Sequence, residues 1–236
     1  MILTVDRRHC GPPESGNGGW TAGSLAAFVA TTTDLPAVRV RLHSPPPLDR
    51  PLVVSQQDDT TVLLDGEHVV ASAWAALRPT SAGLGAVPFD VATAAAERYE
   101  GLHDHPFATC FSCGPDRDPA DALCLRPGPL EDGSGRYAAA WTPRASEALD
   151  VWAALDCPGG WSAGIAGRPM VLGEMTAVID RLPSAGSDLV VMATATGGSG
   201  RKHTSATALV DAAGDTLAIA AATWIAVDPQ AVRPRP

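Results

Sequence analysis

Asp156 is the acidic residue best placed for chemistry. It closes the stretch Trp152-Ala153-Ala154-Leu155-Asp156, in which Leu149, Trp152, Ala153 and Asp156 share one face at helical spacing. A carboxylate on that face would point toward a sheet, where burial raises its pKa and suits it to act as a general base or a nucleophile. The other reading is a cap: Pro158-Gly159-Gly160 follows at once, and a carboxylate there can bond amides exposed by a helix that ends or kinks. A second constellation is Asn17-Gly18-Gly19-Trp20. At a helix opening, the Gly18 and Gly19 amides lack intrahelical acceptors and lie at the positive end of the dipole, so they could hold a carbonyl oxygen as negative charge grows on it. Tight packing of helix against sheet also asks for glycine, and both readings stand.

Arg201, Lys202 and His203 form a compact basic cluster on the approach to a strand. Such charges suit phosphate groups, which arginine binds bidentately, although exposed charge on a strand end is the plain alternative. Cys110 and Cys113, with His103 and His105 upstream, form half of a zinc knuckle, but no second C-x-x-C follows, and the expectation is no metal. Trp20, Trp152, Trp161 and Trp224 read as core and pocket lining. The sequence contains no G-x-S-x-G elbow and no glycine loop between strand and helix, which disfavours serine hydrolase and dinucleotide chemistry.

The elements that must position these residues repeat. Gly18-Gly19-Trp20-Thr21-Ala22-Gly23 is echoed by Gly159-Gly160-Trp161-Ser162-Ala163-Gly164, and each copy is followed by a meander of strands. In the first half these are Ala37 to Leu42, Pro51 to Val54, Thr61 to Leu64 and Val69 to Leu77, with Asp65-Gly66 as a hairpin turn. In the second they are Met175 to Leu182, Asp188 to Val191, Thr204 to Val210 and Leu217 to Val227. Val38, Val40 and Leu42 alternate with Arg39, Arg41 and His43, the pattern of a half-buried antiparallel strand. Ala22, Leu25, Ala26 and Val29 mark one helix, and a second runs from Ser146 to about Cys157. A connector carries a short helix from an Asp90 cap through Glu100, with Gly101 as its stop. The units are 1–78, a connector 79–103, 104–228, and a loose tail 229–236 with Pro229, Pro234 and Pro236.

The chain has 236 residues, 45% hydrophobic and 18% charged, enough for a folded protein with a sizeable core. The net charge of −9 lacks the basic surplus needed on nucleic acid or an anionic membrane. Two arginines interrupt MILTVDRRHC where a secretory signal needs an apolar run, and no later run is long enough to span a bilayer, so the expected compartment is the cytoplasm. Five cysteines is an odd count, which argues for reduced thiols over a disulfide framework.

A helix wrapped by a strongly curved antiparallel sheet, twice in tandem, resembles the α+β double hotdog fold of acyl-thioester enzymes. Three stretches carry the resemblance. Cys110-Phe111-Ser112-Cys113-Gly114-Pro115, running on to Leu123-Cys124-Leu125, is similar to the lead-in of small thioesterase-like hotdog domains, which accounts for its cysteines without metal. Trp152 to Asp156 resembles the acidic segment of their central helix. Arg201-Lys202-His203 through Asp211, Gly214 and Leu217-Ala218 to Thr223-Trp224-Ile225 resembles their last hairpin.

The resemblance implies a hydrolase of acyl-CoA or acyl carrier protein thioesters, with Asp156 as the catalytic acid residue and Gly18 and Gly19 holding the thioester oxygen. Asn17, Trp20, Trp152, Trp161, Arg201, Lys202, His203 and Thr223 would line the substrate site. Coenzyme A or phosphopantetheine enters only as part of the substrate, with no other cofactor. The first half has Ala26, Ala27 or Ser15 where an acid would stand, depending on register, so one half is degenerate. Larger members assist the acid with a Gln and a Thr; the corresponding register here falls on Ala222, with Thr223 beside it. That departure keeps open a non-hydrolytic member that binds acyl or hydrophobic chains or catalyses hydration or another tailoring step. A zinc-dependent interaction module would rest on Cys110 and Cys113 alone. Two such pseudo-dimers could pair further into a homodimer.

Overall fold

The computed structural model describes residues 1–81 and 83–232. In chain order the strands and α-helices are β1 Ile2–Thr4, α1 Gly18–Ala26, β2 Ala37–Leu42, β3 Pro51–Gln57, β4 Thr60–Asp65, β5 His68–Ala76, α2 Phe89–Ala95, β6 Gly128–Pro129, β7 Tyr137–Trp141, α3 Ala148–Ser162, β8 Met170–Ile179, β9 Leu189–Ser199, β10 Lys202–Asp211 and β11 Thr216–Ala226. The strands join one antiparallel sheet in the order β1-β3-β4-β5-β2-β8-β11-β10-β9-β7-β6. Outward from the β2–β8 seam, the two meanders run in the same order, β2-β5-β4-β3 on one side and β8-β11-β10-β9 on the other. With α1 on the first and α3 on the second, this is the double hotdog arrangement.

Alternation explains the seam. Val38 and Val40 are buried while Arg39 and Arg41 face out, and β2 pairs with β8 through Val38 opposite Ala177 and Val40 opposite Met175. On the outer face Arg39 donates to Thr176 Oγ1 at 3.0 Å and Arg41 to Glu174 Oε2 at 2.8 Å, which fixes the register by cross-strand pairs. In the second half both faces of the sheet are covered. Leu189, Val191 and Leu209 belong to the main core, whereas Val190, Met192, Ala206 and Ala208 pack with Leu84, Ala92 and Ala95 of the connector. Burial on both sides gives β9 its unbroken apolar run, Leu189 to Ala193.

Several expected boundaries move. The second long helix does not end at Pro158-Gly159-Gly160 but continues to Ser162. Proline removes the N–H that would meet the Ala154 carbonyl. The flanking carbonyls accept buried hydroxyls, Ala153 from Ser112 at 2.6 Å and Leu155 from Thr207 at 2.9 Å. The two glycines admit the sheet: a Cβ on Gly159 would stand 2.5 Å from Ser205 Oγ, and one on Gly160 3.1 Å from the Trp224 ring. The Gly-Gly-Trp echo therefore marks the opening of α1 but the last turns of α3. Val29 lies beyond α1, whose nine residues end at Ala26. In the connector the helix starts at Phe89 with Pro88 at its N-cap, so Asp90 lies in the first turn, and two 3-10 turns, Ala96–Arg98 and Glu100–Leu102, follow. Pro229–Val232 form a 3-10 turn, while Pro234 and Pro236 fall outside the described residues. No helix among the described residues is long and apolar enough to cross a membrane.

Candidate active site

Asp156 is buried in α3 at 2% exposure. It faces α1, not the sheet as the helical pattern suggests. A Cβ on Gly19 would lie 2.5 Å from Asp156 Cβ and from the Trp152 carbonyl, and one on Gly23 would lie 2.6 Å from the Trp152 ring. The Trp152–Ala153–Asp156 face is therefore where the two helices meet, and the sheet takes the face that carries Gly159 and Gly160. Nor does Asp156 cap its own helix. Its Oδ2 accepts the Gly19 N–H at 2.8 Å, and its Oδ1 is buried without a partner among the described residues.

Burial pushes the Asp156 pKa up to about 7. The Gly19 amide pulls the other way, the nearby Cys110 adds to the rise, and Asn17 again lowers it. Asn17 organises the opening of α1. Its backbone N–H donates to His9 O at 2.7 Å and its Oδ1 accepts the Trp20 N–H at 2.8 Å, the standard arrangement of an N-cap. The Gly19 amide, expected to be free for a substrate oxygen, is thus taken by Asp156, and the Trp20 amide by Asn17. Gly18 remains as the amide of this turn that lines the cavity.

That cavity has a volume of about 420 Å³. Asn17, Gly18 and Asp156 reach its wall, the apolar sides include Trp161, Leu172 and Trp224, and the exposed Arg201 also lines it. Of the other expected site residues, Trp20 stacks on His9 with ring centroids 4.1 Å apart, and Trp152 is packed against Gly23, so both belong to the helix layer. Lys202 and His203 open β10, pairing with Ile225 and Trp224, and Thr223 pairs with Thr204. None of these five is among the residues lining the cavity. Ala222, in the register of the assisting Gln, is buried opposite Ser205.

A group that the sequence reading did not assemble lies beside Asp156. The sulfurs of Cys110, Cys113 and Cys157 all lie within 4.8 Å of one another, and Cys110 Sγ to Cys157 Sγ is 3.7 Å. His103 is exposed and outside the group, whereas His105 Nε2 lies 3.3 Å from Cys113 Sγ. Cys157 follows Asp156 directly in sequence, yet a lone cysteine in a helix carries no spacing signal, and only the fold brings it to the C-x-x-C turn.

No protein-family model matches the sequence, and neither does any curated protein. Among solved structures, a hot dog fold protein from Alicyclobacillus acidocaldarius is 17% identical with a TM-score of 0.62, over 97% of this chain and 93% of that one. An acyl-CoA thioesterase II, TesB2, from Mycobacterium marinum is 13% identical with a TM-score of 0.60, over 98% and 93%. The dehydratase domain of PpsC from Mycobacterium tuberculosis, in complex with C12:1-CoA, is 10% identical with a TM-score of 0.55, over 96% and 93%. At these identities the likeness is one of fold, and the fold is the hotdog fold along nearly the whole chain.

Proposed function

We propose that this chain binds an acyl thioester in the 420 Å³ cavity and hydrolyses it with Asp156. The observation that carries the reading is the state of that carboxylate: one oxygen is fixed by the Gly19 N–H, the other is unpartnered, and both belong to a group lining an apolar cavity. A water bonded to Oδ1 would attack the thioester carbonyl carbon while Asp156 takes its proton. As the C–S bond breaks, that proton passes to the departing thiolate, leaving a carboxylic acid and a free thiol. The Gly18 amide supports the carbonyl oxygen during the attack, because it is the helix-end donor that Asp156 and Asn17 leave open. Arg201 provides the cation at the cavity for the phosphates of coenzyme A or of a carrier protein's phosphopantetheine arm.

The fold neighbours support this substrate class, since one is an acyl-CoA thioesterase and another holds an acyl-CoA. One observation favours a second reading. The buried Ala222 offers no polar side chain to orient the water, which suits an acyl-binding protein or a hydratase-type enzyme better than a hydrolase. Incubating the purified protein with a panel of acyl-CoAs and an acyl carrier protein thioester, with detection of free thiol, separates the two. Thiol release above the buffer rate supports hydrolysis. Saturable binding of acyl-CoA without release rejects hydrolysis in favour of the second reading.

A further inference from the structure

The five cysteines of this chain fall into two chemical groups. Cys10 and Cys124 behave as protonated thiols, each donating to a carbonyl, Thr109 O at 3.2 Å and Arg117 O at 3.7 Å. Cys110, Cys113 and Cys157 have no oxygen acceptor among the described residues. What surrounds them is N–H. Asn17 Nδ2 donates to Cys110 Sγ at 3.7 Å and to Cys157 Sγ at 3.8 Å. His105 Nδ1 accepts the Phe107 N–H at 2.9 Å, so its ring proton sits on Nε2 and points at Cys113 Sγ, 3.3 Å away. The indole N–H of Trp161 is buried without a hydrogen-bond partner among the described residues and belongs to the same cavity wall as Cys113. Apart from the contact between the Cys110 and Cys157 sulfurs themselves, this shell is made of donors, which fits sulfurs that carry negative charge, and three thiolates this close together require a cation.

The spacing fits the same chemistry. Thiolates bound at ~2.3 Å around a tetrahedral zinc lie about 3.8 Å apart, close to the separation of Cys110 and Cys157. The backbone is shaped for it. Cys110 to Gly114 forms a closed turn with Gly114 N donating to Cys110 O at 2.9 Å, and a Cβ on Gly114 would collide with the Ala108 carbonyl and the Cys110 amide. Tyr99 OH anchors the turn from outside, on Cys113 O at 2.8 Å.

We propose that Cys110, Cys113 and Cys157 form a three-thiolate site for one thiophilic metal ion, zinc in the first place, completed by a water from the cavity that all three residues line. His105 is a hydrogen-bonding neighbour of this site and not its fourth ligand, because its Nδ1 accepts the Phe107 amide. The ion would tie the C-x-x-C turn to α3 one residue beyond Asp156, with Asn17 of the α1 cap in its outer shell. The site thus links the three segments that converge on the candidate active site. It departs from the metal-free expectation drawn from Cys110 and Cys113 with His103 and His105.

The test is made on the full chain, purified under reducing conditions without chelator and assayed by elemental analysis. About one zinc per chain is the expected result, and one copper per chain would keep the site while identifying a different ion. Metal-free protein reloaded with cobalt(II) should develop the visible and near-ultraviolet bands of a thiolate-bound tetrahedral ion. Cys157→Ala should lose both the metal and the bands, while Cys10→Ala and Cys124→Ala keep them. Should Cys157→Ala fail to fold, as read by circular dichroism, the cobalt spectrum of the wild type still decides. A reduced, folded wild type that carries no metal and gives no cobalt bands overturns the proposal, as does a Cys110–Cys157 disulfide in protein isolated without reductant. The readout is metal content, so the result stands whichever way the thioester assay falls.

Discussion

Gly19 and Asp156 are 137 positions apart in sequence, and they meet through a 2.8 Å hydrogen bond from the Gly19 amide to Asp156 Oδ2. The contact joins the first turn of α1 to the middle of α3 and requires glycine on one side, since any Cβ there would enter the Asp156 side chain. It also divides the carboxylate into a fixed oxygen and a free one. The contact serves packing, and in the proposed mechanism it also fixes the carboxylate; the Gly19 amide is not left open for a substrate oxygen.

Asp156→Asn separates the two roles. The amide can accept the Gly19 N–H through its oxygen and occupy the same volume, so the melting temperature should stay near wild type. Thioester turnover should fall by about 100-fold or more, the scale for losing a positioned acid-base group. Initial rates on the best acyl-CoA of the panel check this, and unchanged turnover removes Asp156 from the mechanism.

Gly19→Ala should damage both roles. The new methyl would lie 2.5 Å from Asp156 Cβ and from the Trp152 carbonyl, so the helices must separate. Overpacking of this kind costs roughly 1–3 kcal/mol in denaturant unfolding. Because the backbone of the first turn moves with it, turnover should fall in the protein that remains folded.

How far the sequence could foretell this site depended on whether a residue's signal was local. Ala37–Leu42 was legible to the residue because its Val/Arg alternation is driven by one buried face. The strand Tyr137–Trp141 gave no such signal, since its three central alanines have no period. The strand Leu189–Ser199 outlasts its apolar run because Gly197 to Ser199 are exposed yet still pair with the next strand. In α3, the Pro-Gly-Gly that ends most helices is retained because Ser205 and Trp224 fit against the glycines. Asp156 was identified by residue type and resemblance, but its partner Gly19 and its neighbour Cys157 depend on contacts between distant segments.

Stability should depend on His9 in mildly acid solution. The ring is stacked on Trp20 and edge-on to Phe111, and Nε2 accepts from Arg8 Nε at 3.0 Å, so the neutral form is the one that fits. Burial, then the Arg8 charge, lowers its pKa to about 4, with Arg117 acting the same way and Asp6 and Asp121 against. The unfolded chain therefore takes up a proton near pH 6.5 that the folded chain refuses until about pH 4. Its contribution is fully present above pH 6.5 and is lost as pH falls across that window, by roughly 3 kcal/mol at most. Asp156, with its raised pKa, works in the opposite direction over an overlapping range. The measurement is therefore the difference between wild type and His9→Gln in denaturant unfolding at several pH values. A difference that does not change between pH 7 and pH 4.5 would show that His9 titrates normally.

Thr207→Val tests how α3 survives its proline. Thr207 is buried, and its hydroxyl donates to the Leu155 carbonyl at 2.9 Å, beside the Ala154 carbonyl that Pro158 cannot reach. Valine keeps the volume and removes the donor, so the cost is that of an unmet buried hydrogen bond, about 1–3 kcal/mol. The control is Thr196→Val on β9, where the hydroxyl bonds Thr204 Oγ1 at 2.9 Å in an exposed position. There the change should stay within about 0.5 kcal/mol. Equal effects at the two positions would mean that the Leu155 carbonyl finds another donor and that the helix passes Pro158 without help from the sheet. A loss confined to Thr207→Val, accompanied by slower thioester turnover, would tie the placement of Asp156 to this bond, because Leu155 and Asp156 are adjacent in the same turn.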